Sequence, residues 1–140
     1  MDIFAKKFEL IEDSLQKLSQ IQTENPSLDE YRKSWKDKDS SERNLQKVIE
    51  AFIDIGKMLI SEKQLREPMN NREVFLVLEE KGIFASEFMP LVDKMIGLRN
   101  VIVHGYNRIN DEIIFGILRK NLKDIKKLMK NMKQVCLLQK

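Results

Sequence analysis

The fold of this chain is decided by residues 45–60, which read LQKVIEAFIDIGKMLI. Apolar side chains recur there every three or four residues, which is the spacing of one face of an α-helix. The apolar stripe comprises Leu45, Val48, Ile49, Phe52, Ile53, Gly56, Leu59 and Ile60. A stripe of this width predicts a helix that packs against neighbours on two sides. We therefore expect this segment, beginning near Asp39 to Ser41, to be the central helix of an all-α fold.

Two helical segments are predicted before the central helix. The first carries an apolar stripe from Phe4 to Ile21 and stops at Asn25-Pro26. The second is a short piece that opens at Ser27, with Glu30 at capping-box spacing. Its apolar side is expected to consist of Leu28, Tyr31 and Trp35. The charged residues 36–39 are expected to end this piece.

Three more segments follow, separated by residues that interrupt helices. Arg66-Glu67-Pro68 is predicted to end the central helix, and Asn70 to cap a fourth element that ends near Gly82. Ser86 is expected to cap a fifth helix, and a final uninterrupted helix carries the apolar stripe from Ile114 to Val135. Short connections between long amphipathic helices imply antiparallel neighbours. The expected architecture is an antiparallel bundle of about five helices in a single domain, residues 1–140.

The composition excludes several classes of enzyme. With one histidine and one cysteine among 140 residues, the chain lacks the ligand sets of common zinc sites. Its glycines form neither a dinucleotide-binding nor a P-loop motif. The sequence predicts no metal site, no cofactor and no membrane span, and a start without a signal peptide makes the cytoplasm the expected location. A net charge of +3 permits an anionic partner without requiring one.

The candidate site is the octet RNVIVHGY, Arg99 to Tyr106, which contains the only histidine of the chain, His104. Imidazole titrates near neutral pH, and guanidinium matches phosphate oxygens, so the pair suits work on a phosphodiester. On an ideal helix, however, Arg99 and His104 lie about 140° apart. Either the arginine bends round, or two copies of the chain share one cleft. We prefer the shared cleft, because catalysis rewards fixed geometry.

Each octet residue also has a purely structural interpretation. A lone histidine near a helix end is commonly a surface or structural residue, and an arginine five positions away occurs by chance. Asn100, which should share a helix face with His104, either holds a phosphate oxygen or orients the imidazole, or is an ordinary polar surface residue. Tyr106 could be a half-buried aromatic residue with a solvated hydroxyl. Spacing alone leaves these alternatives open.

Two further groups of charged residues each have a functional and a structural interpretation. Glu50 and Asp54 lie one turn apart on the predicted central helix and are candidates to assist the site, although such acids are commonly solvated or paired with a nearby cation. Lysines recur at helical spacing near the carboxyl end, at positions 120, 123, 126, 127, 130 and 133. They could follow a nucleic-acid backbone, but a lysine stripe opposite an apolar face is usually just solvated, and we favour the solvated face.

The octet has the form R-x4-H-x-Y, and it resembles the signature of the HepT family within the HEPN helical-bundle superfamily. Residues 41–56 are similar to the family's long helix, and Met95 to Asn100 to the lead-in of its motif. This resemblance implies the toxin of a toxin–antitoxin pair, a homodimeric, metal-independent ribonuclease with Arg99 and His104 as catalytic residues. It also implies an MntA-type nucleotidyltransferase as antitoxin, which adds AMP to the motif tyrosine, Tyr106.

The residues themselves are compatible with that activity. Without metal ligands, the simplest cleavage uses the ribose 2′-hydroxyl as nucleophile, which favours RNA over DNA as substrate. His104 would act as general acid or base, and Arg99 would neutralise charge on the phosphorane. A competing hypothesis is a HEPN-like module without nuclease activity that binds nucleotide or substrate for a nucleotidyltransferase. A purely structural dimerisation bundle is a third hypothesis.

Overall fold

The computed structural model describes residues 3–105 and 110–137, and within them the regular structure is entirely helical. Seven α-helices are present in this part of the chain. They are α1 (Ala5–Glu24), α2 (Leu28–Lys33), α3 (Trp35–Glu62), α4 (Asn71–Glu80), α5 (Met89–His104), α6 (Asp111–Lys120) and α7 (Leu122–Leu137). The expected all-α fold class is therefore confirmed, with more helices than the five or so predicted.

The core surrounds α3. Val48, Phe52 and Ile55 are completely buried there, and α3 packs against α1, α4, α5 and α6, most extensively against α1. Buried side chains occur around most of its circumference. The predicted role of this segment as the central helix is thus confirmed, because its broad apolar stripe is covered on several sides.

One boundary in the first third of the chain differs from the prediction. The capping box at Ser27 and Glu30 forms as expected, but the short helix ends at Ser34, whose backbone is non-helical. α3 begins at Trp35, so the charged residues 36–39 lie in its first turns and do not end α2. Their charges are compatible with a helix because partners elsewhere in the fold contact them, as Asp111 contacts Lys38. Asp37 accepts a hydrogen bond from Asn25 at 2.7 Å. Trp35 therefore does not join the apolar side of α2 and is 65% exposed.

The second half of the chain differs at three points. The central helix ends at Glu62, four residues before the predicted break, and Gln64 has a positive φ of 54°. Ser86 does not cap α5 but begins one turn of 3₁₀ helix, Ser86–Phe88, and α5 starts at Met89. The predicted final helix is divided at Asn121 into α6 and α7. Asn70 does cap α4, by accepting the amide of Glu73 at 2.9 Å.

Gly56 is the point of closest approach between α3 and α4. A Cβ atom built at this position would lie 2.5 Å from Cγ1 of Val74, a completely buried side chain. Real Cβ atoms do not approach other heavy atoms that closely. The absence of a side chain at Gly56 is therefore what lets α4 pack directly against the middle of the central helix.

Replacement of Gly56 by alanine should destabilise the fold. Overpacking a tight contact of this kind costs about 1–3 kcal/mol, which exceeds the gain in helix propensity. Gly116→Ala in α6 is the matched control, because its added Cβ would meet nothing within 4 Å and should stabilise the helix by about 0.5–1 kcal/mol. Urea unfolding monitored by circular dichroism measures both. Equal stability of the two variants would contradict the close approach.

Candidate functional site at the end of α5

The first six residues of the octet form the carboxyl end of α5 and its terminus. Met95, Ile96 and Leu98 are buried against the core, while Asn100 and His104 both lie on the exposed side, as their spacing predicts. Val101 follows Leu98 at helical spacing, yet it is 49% exposed. Its exposure means that apolar surface continues onto the outer side of α5, next to the polar residues.

Arg99 is held at the boundary between the core and this outer surface. Its side chain is 23% exposed, and its Nε lies 3.6 Å from Oε1 of Glu50 on α3. This separation is too long for a hydrogen bond, so the attraction is one of charge. Its Nη1 donates to Oδ1 of Asn100 at 3.4 Å. The guanidinium is therefore approached by Glu50 at its buried Nε and by Asn100 at its outer end.

Glu50 is itself held by a neighbour on α3. Gln46, one turn earlier, donates its Nε2 to Oε1 of Glu50 at 3.2 Å. Gln46 was not among the candidate residues predicted from the sequence, although a glutamine can hydrogen-bond to an acidic side chain four residues further along a helix. Gln46, Glu50, Arg99 and Asn100 form a chain of polar contacts from the central helix to the surface of α5. We call these four residues the arginine chain.

Asp54, the other acidic candidate, is not part of the arginine chain. Its carboxylate accepts a hydrogen bond from Nζ of Lys7 on α1 at 2.9 Å. Both side chains are partly exposed. The structure thus separates two acids that the sequence placed together: Glu50 contacts the candidate site, whereas Asp54 joins α3 to α1.

His104 is the last residue of α5, and its side chain is exposed. Among the described residues, the polar partners of Arg99 are Glu50 and Asn100, and neither hydrogen bond nor ion pair joins Arg99 to His104. The angular separation expected from the sequence is therefore not closed by a direct contact within this part of the chain. Gly105 ends the helix with extended backbone, φ −68° and ψ 100°.

Tyr106 belongs to residues 106–109, which lie outside the described residues, so its proposed role remains a prediction. Residues 110–112, which follow this segment, make polar contacts that fix the start of α6. Asn110 caps α6 by accepting the amide of Glu112 at 2.8 Å. Asp111 lies 3.5 Å from Nζ of Lys38, and Glu112 accepts a hydrogen bond from Arg32 at 2.8 Å. No local pattern around Lys38 signalled this long-range pair, because its partner is more than 70 residues away.

Apolar side chains are exposed on both sides of the segment that carries Tyr106. Val101 and Val103 on α5 are 49% and 41% exposed, and Ile113 on α6 is 52% exposed. Gly97 lies on the same outer side of α5, with open space where a side chain would be. The outer side of α5 next to His104 thus carries exposed apolar surface from Val101 and Val103.

One cavity of the described residues lies away from the octet. It has a volume of about 260 Å³ and is situated between α1 and α7, where it is lined by Ala5, Phe8, Glu9, Glu12, Lys133, Cys136 and Leu137. None of these residues belongs to the octet.

Two features are absent from the described residues: a cluster of side chains that could bind a metal ion and a helix that could span a membrane. No group of three or more histidine, cysteine, aspartate or glutamate side chains in residues 3–105 and 110–137 is arranged to hold a metal ion. Across the same residues, no helix combines the length and the apolar character that crossing a bilayer demands.

The fold and the site together define an all-α bundle protein that displays an arginine, an asparagine and a histidine at the end of one helix. The chain belongs to the family described as Ribonuclease HepT-like, whose model matches residues 11–132. The resemblance inferred from the octet and the central helix is thereby confirmed.

Individual relatives agree with this family. The chain is 27% identical over 128 residues to the mRNA nuclease HepT of Shewanella oneidensis, with 91% of this chain and 94% of the relative covered. It is 33% identical over 113 residues to the tRNA nuclease HepT of Aphanizomenon flos-aquae, with 81% and 76% covered. The structure is similar, with a TM-score of 0.85 and 26% identity, to the tri-AMPylated HEPN toxin of Shewanella oneidensis in complex with MNT antitoxin, covering 96% and 98% of the two chains.

Proposed function

We propose that this chain is the ribonuclease toxin of a toxin–antitoxin pair and acts on RNA in the cytoplasm without a metal ion. The observation that carries the proposal is the grouping of a partly buried Arg99 with exposed Asn100 and His104 at the end of α5, in a chain that belongs to the HepT-like family. Relatives named as mRNA and tRNA nucleases support the activity. The toxin role is supported by the likeness to a HEPN toxin bound to its antitoxin.

The proposed reaction is an attack by the ribose 2′-hydroxyl on the neighbouring phosphorus. A bond forms between the 2′-oxygen and phosphorus, the bond from phosphorus to the 5′-oxygen breaks, and the products are a 2′,3′-cyclic phosphate and a 5′-hydroxyl end. His104 accepts the proton of the 2′-hydroxyl or supplies one to the 5′-oxygen. Arg99 stabilises the negative charge that grows on the phosphorane oxygens. This nucleophile exists in RNA and not in DNA.

Glu50 is proposed as a positioning residue for Arg99. It approaches the guanidinium at Nε, 3.6 Å away, and leaves the outer nitrogens to face a phosphate. Gln46 restrains the Glu50 carboxylate in turn. Asn100, which accepts from Nη1 of Arg99, is placed to orient the guanidinium and to donate its amide to a phosphate oxygen.

A homodimer is proposed to complete the site. Arg99 and His104 face different directions around α5, and the surface beside them carries the exposed side chains of Val101 and Val103. Apposition of two copies along this surface would bury apolar area and bring Arg99 of one copy towards His104 of the other. A site that is open in one chain would thereby become a cleft.

The antitoxin is proposed to be an MntA-type nucleotidyltransferase that AMPylates Tyr106. In this step the tyrosine Oη forms a bond to the α-phosphorus of ATP, the bond from that phosphorus to the pyrophosphate oxygen breaks, and pyrophosphate leaves while the phenolic proton passes to a base. The other tyrosine of the chain, Tyr31, is only 1% exposed and is unsuited to modification. AMP on Tyr106 would place bulk and negative charge two residues from His104, where the substrate phosphate must lie.

Cleavage of RNA tests the enzymatic part of the proposal. We expect the purified protein to cut total RNA in the presence of EDTA. His104→Ala should lower the rate by about 10²–10⁴ through loss of proton transfer, and Arg99→Ala by about 10²–10³ through loss of charge stabilisation. Asp54→Asn, which alters an acid outside the arginine chain, is the control and should retain activity. Equal inactivity of wild type and His104→Ala would instead favour a non-catalytic module that binds nucleotide or substrate.

The shared cleft is tested with a heterodimer of two inactive chains. When Arg99→Ala and His104→Ala chains carry different affinity tags and are purified together, one of the two sites contains both intact residues. We therefore expect about half of the wild-type activity from this heterodimer. A heterodimer as inactive as each parental homodimer would place both residues of the site in the same chain.

The modification is tested by intact-mass spectrometry after co-expression with an MntA-type nucleotidyltransferase. The mass of the chain should increase by one or more AMP groups, and RNA cleavage should be lost. Tyr106→Phe should keep both its original mass and its ability to cleave RNA. A mass increase that persists in Tyr106→Phe would show that another residue accepts AMP.

A further inference from the structure

The carboxyl-terminal part of the chain carries a marked excess of positive charge. Residues 119–140 include eight basic and one acidic side chain, whereas residues 1–118 include 17 basic and 21 acidic ones. The net charge of +3 thus divides into +7 and −4. Six of the basic side chains are exposed on the end of α6 and on α7, and we call them the basic face: Arg119, Lys120, Lys123, Lys126, Lys127 and Lys130.

The basic face lacks counter-ions among the described residues. Ion pairs elsewhere in this part of the chain involve other cations, and Lys133, the next lysine along α7, is paired with Glu12 on α1. None of the six residues of the basic face has a carboxylate within 4.0 Å in residues 3–105 and 110–137. Asp124, the acid nearest in sequence, is a hydrogen-bond acceptor of Asn121.

The arrangement is unfavourable for the isolated helix. Lys123, Lys126, Lys127 and Lys130 are three or four residues apart and repel one another, and like charges at this spacing destabilise a helix. Lys123 is also in the first turn of α7, where the helix dipole favours negative charge. A bound polyanion would relieve both effects, whereas solvent and salt relieve them only in part.

The chemistry of the basic face fits a nucleic-acid backbone better than a protein. Protein interfaces are centred on apolar and aromatic side chains. The large apolar residues that are exposed in the described chain lie outside residues 119–130, and include Trp35, Met69, Val101 and Ile113. The four lysines of α7 occupy an arc of about 100° over about 10 Å of helix, which suits a row of phosphates.

The basic face is connected to α5, the helix that carries the candidate site, through the junction of α6 and α7. The segment after His104 leads into α6, whose first residue, Asp111, is fixed to α3 through Lys38. From there α6 extends about 15 Å to Arg119 and Lys120. Lys94 on α5 meets the junction of α6 and α7 through a hydrogen bond from Nζ to Oδ1 of Asn121 at 3.0 Å.

We propose that the basic face binds the phosphate backbone of single-stranded RNA, at nucleotides away from the one that is cut. The proposal rests on the proposed ribonuclease function for its choice of polyanion. In this proposal α7 binds RNA of any sequence, and the residues at the end of α5 cleave it. Since phosphates are contacted as charges, binding to this surface should depend strongly on salt.

The test measures RNA binding by full-length protein that carries His104→Ala, so that the RNA stays intact. The probe is fluorescent oligouridine of about 20 nucleotides, titrated from about 50 to 300 mM salt. The test variant changes Lys123, Lys126, Lys127 and Lys130 to glutamine. The control variant changes four exposed lysines elsewhere to glutamine, namely Lys6, Lys17, Lys57 and Lys81, and so removes the same net charge.

We expect the test variant to bind about 10- to 100-fold more weakly near 0.1 M salt, and the slope of log K against log salt to fall by about 2–3. The control variant should stay within about twofold of the parent in affinity. Arginine at the same four positions of α7 should keep the affinity, since it keeps the charge. The midpoint of urea unfolding should not fall in the glutamine variant, because repulsion within α7 is removed.

Two results would overturn the proposal. Equal weakening in the test and control variants would show that only net charge matters. Unchanged RNA affinity, together with lost binding of the nucleotidyltransferase, would assign the basic face to the protein partner. Failure of the wild-type protein to cleave RNA would count against the ribonuclease function alone, because the binding measurement requires no cleavage.

Discussion

The structure depends on the burial of α3 on most of its circumference. On the side of α3 that is covered by α1, α4, α5 and α6, few polar side chains can be tolerated without a partner. Three charged residues of α3 each meet that constraint with an opposite charge from a different neighbour. Lys38 pairs with Asp111 of α6, Glu50 with Arg99 of α5, and Asp54 with Lys7 of α1. These three ion pairs therefore help to fix how three other helices lie against α3.

The packing of α5 against α3 explains why Arg99 has polar partners within the fold, whereas His104 is exposed. Arg99 projects towards α3, where its Nε is approached by Glu50, whose carboxylate accepts a hydrogen bond from Gln46. His104 is five residues further along α5, on the exposed side and beyond the reach of the core. A single chain thus preorganises half of the candidate catalytic pair. The proposed dimer would supply the missing restraint through the apolar surface that contains Val101 and Val103.

The sequence predicted the fold class, the central helix and the caps at Ser27 and Asn70, because these features are encoded by residues close to one another. It did not predict the break at Asn121. Leu118, Leu122 and Ile125 continue the helical apolar spacing through the break and are all buried, so the periodicity contains no sign of it. The early start of α3 was missed for the opposite reason: residues 36–39 read locally as a solvated connection, while their partners are distant in sequence.

The candidate site shows the same division between local and long-range information. The octet could be recognised from residue type and spacing, and Glu50, one of the two acidic candidates, lies 3.6 Å from Arg99. The sequence could not show that Glu50 and Asp54 contact different helices. The two acids are only one turn apart, and their partners lie on α5 and α1. The exposure of Val101 likewise depended on where the core ends.

The division of charge in the chain bears on how such a toxin would be silenced. If the basic face holds the RNA backbone, substrate affinity resides on the end of α6 and on α7, and not on the helix that carries Arg99 and His104. AMP on Tyr106 would add negative charge beside His104 and leave the lysines of α7 unchanged. Long-range attraction to RNA would then survive the modification, since each phosphate contact contributes separately. Silencing would act by blocking the phosphate position at Arg99 and His104, so one small group would suffice to inhibit a protein that still binds its substrate.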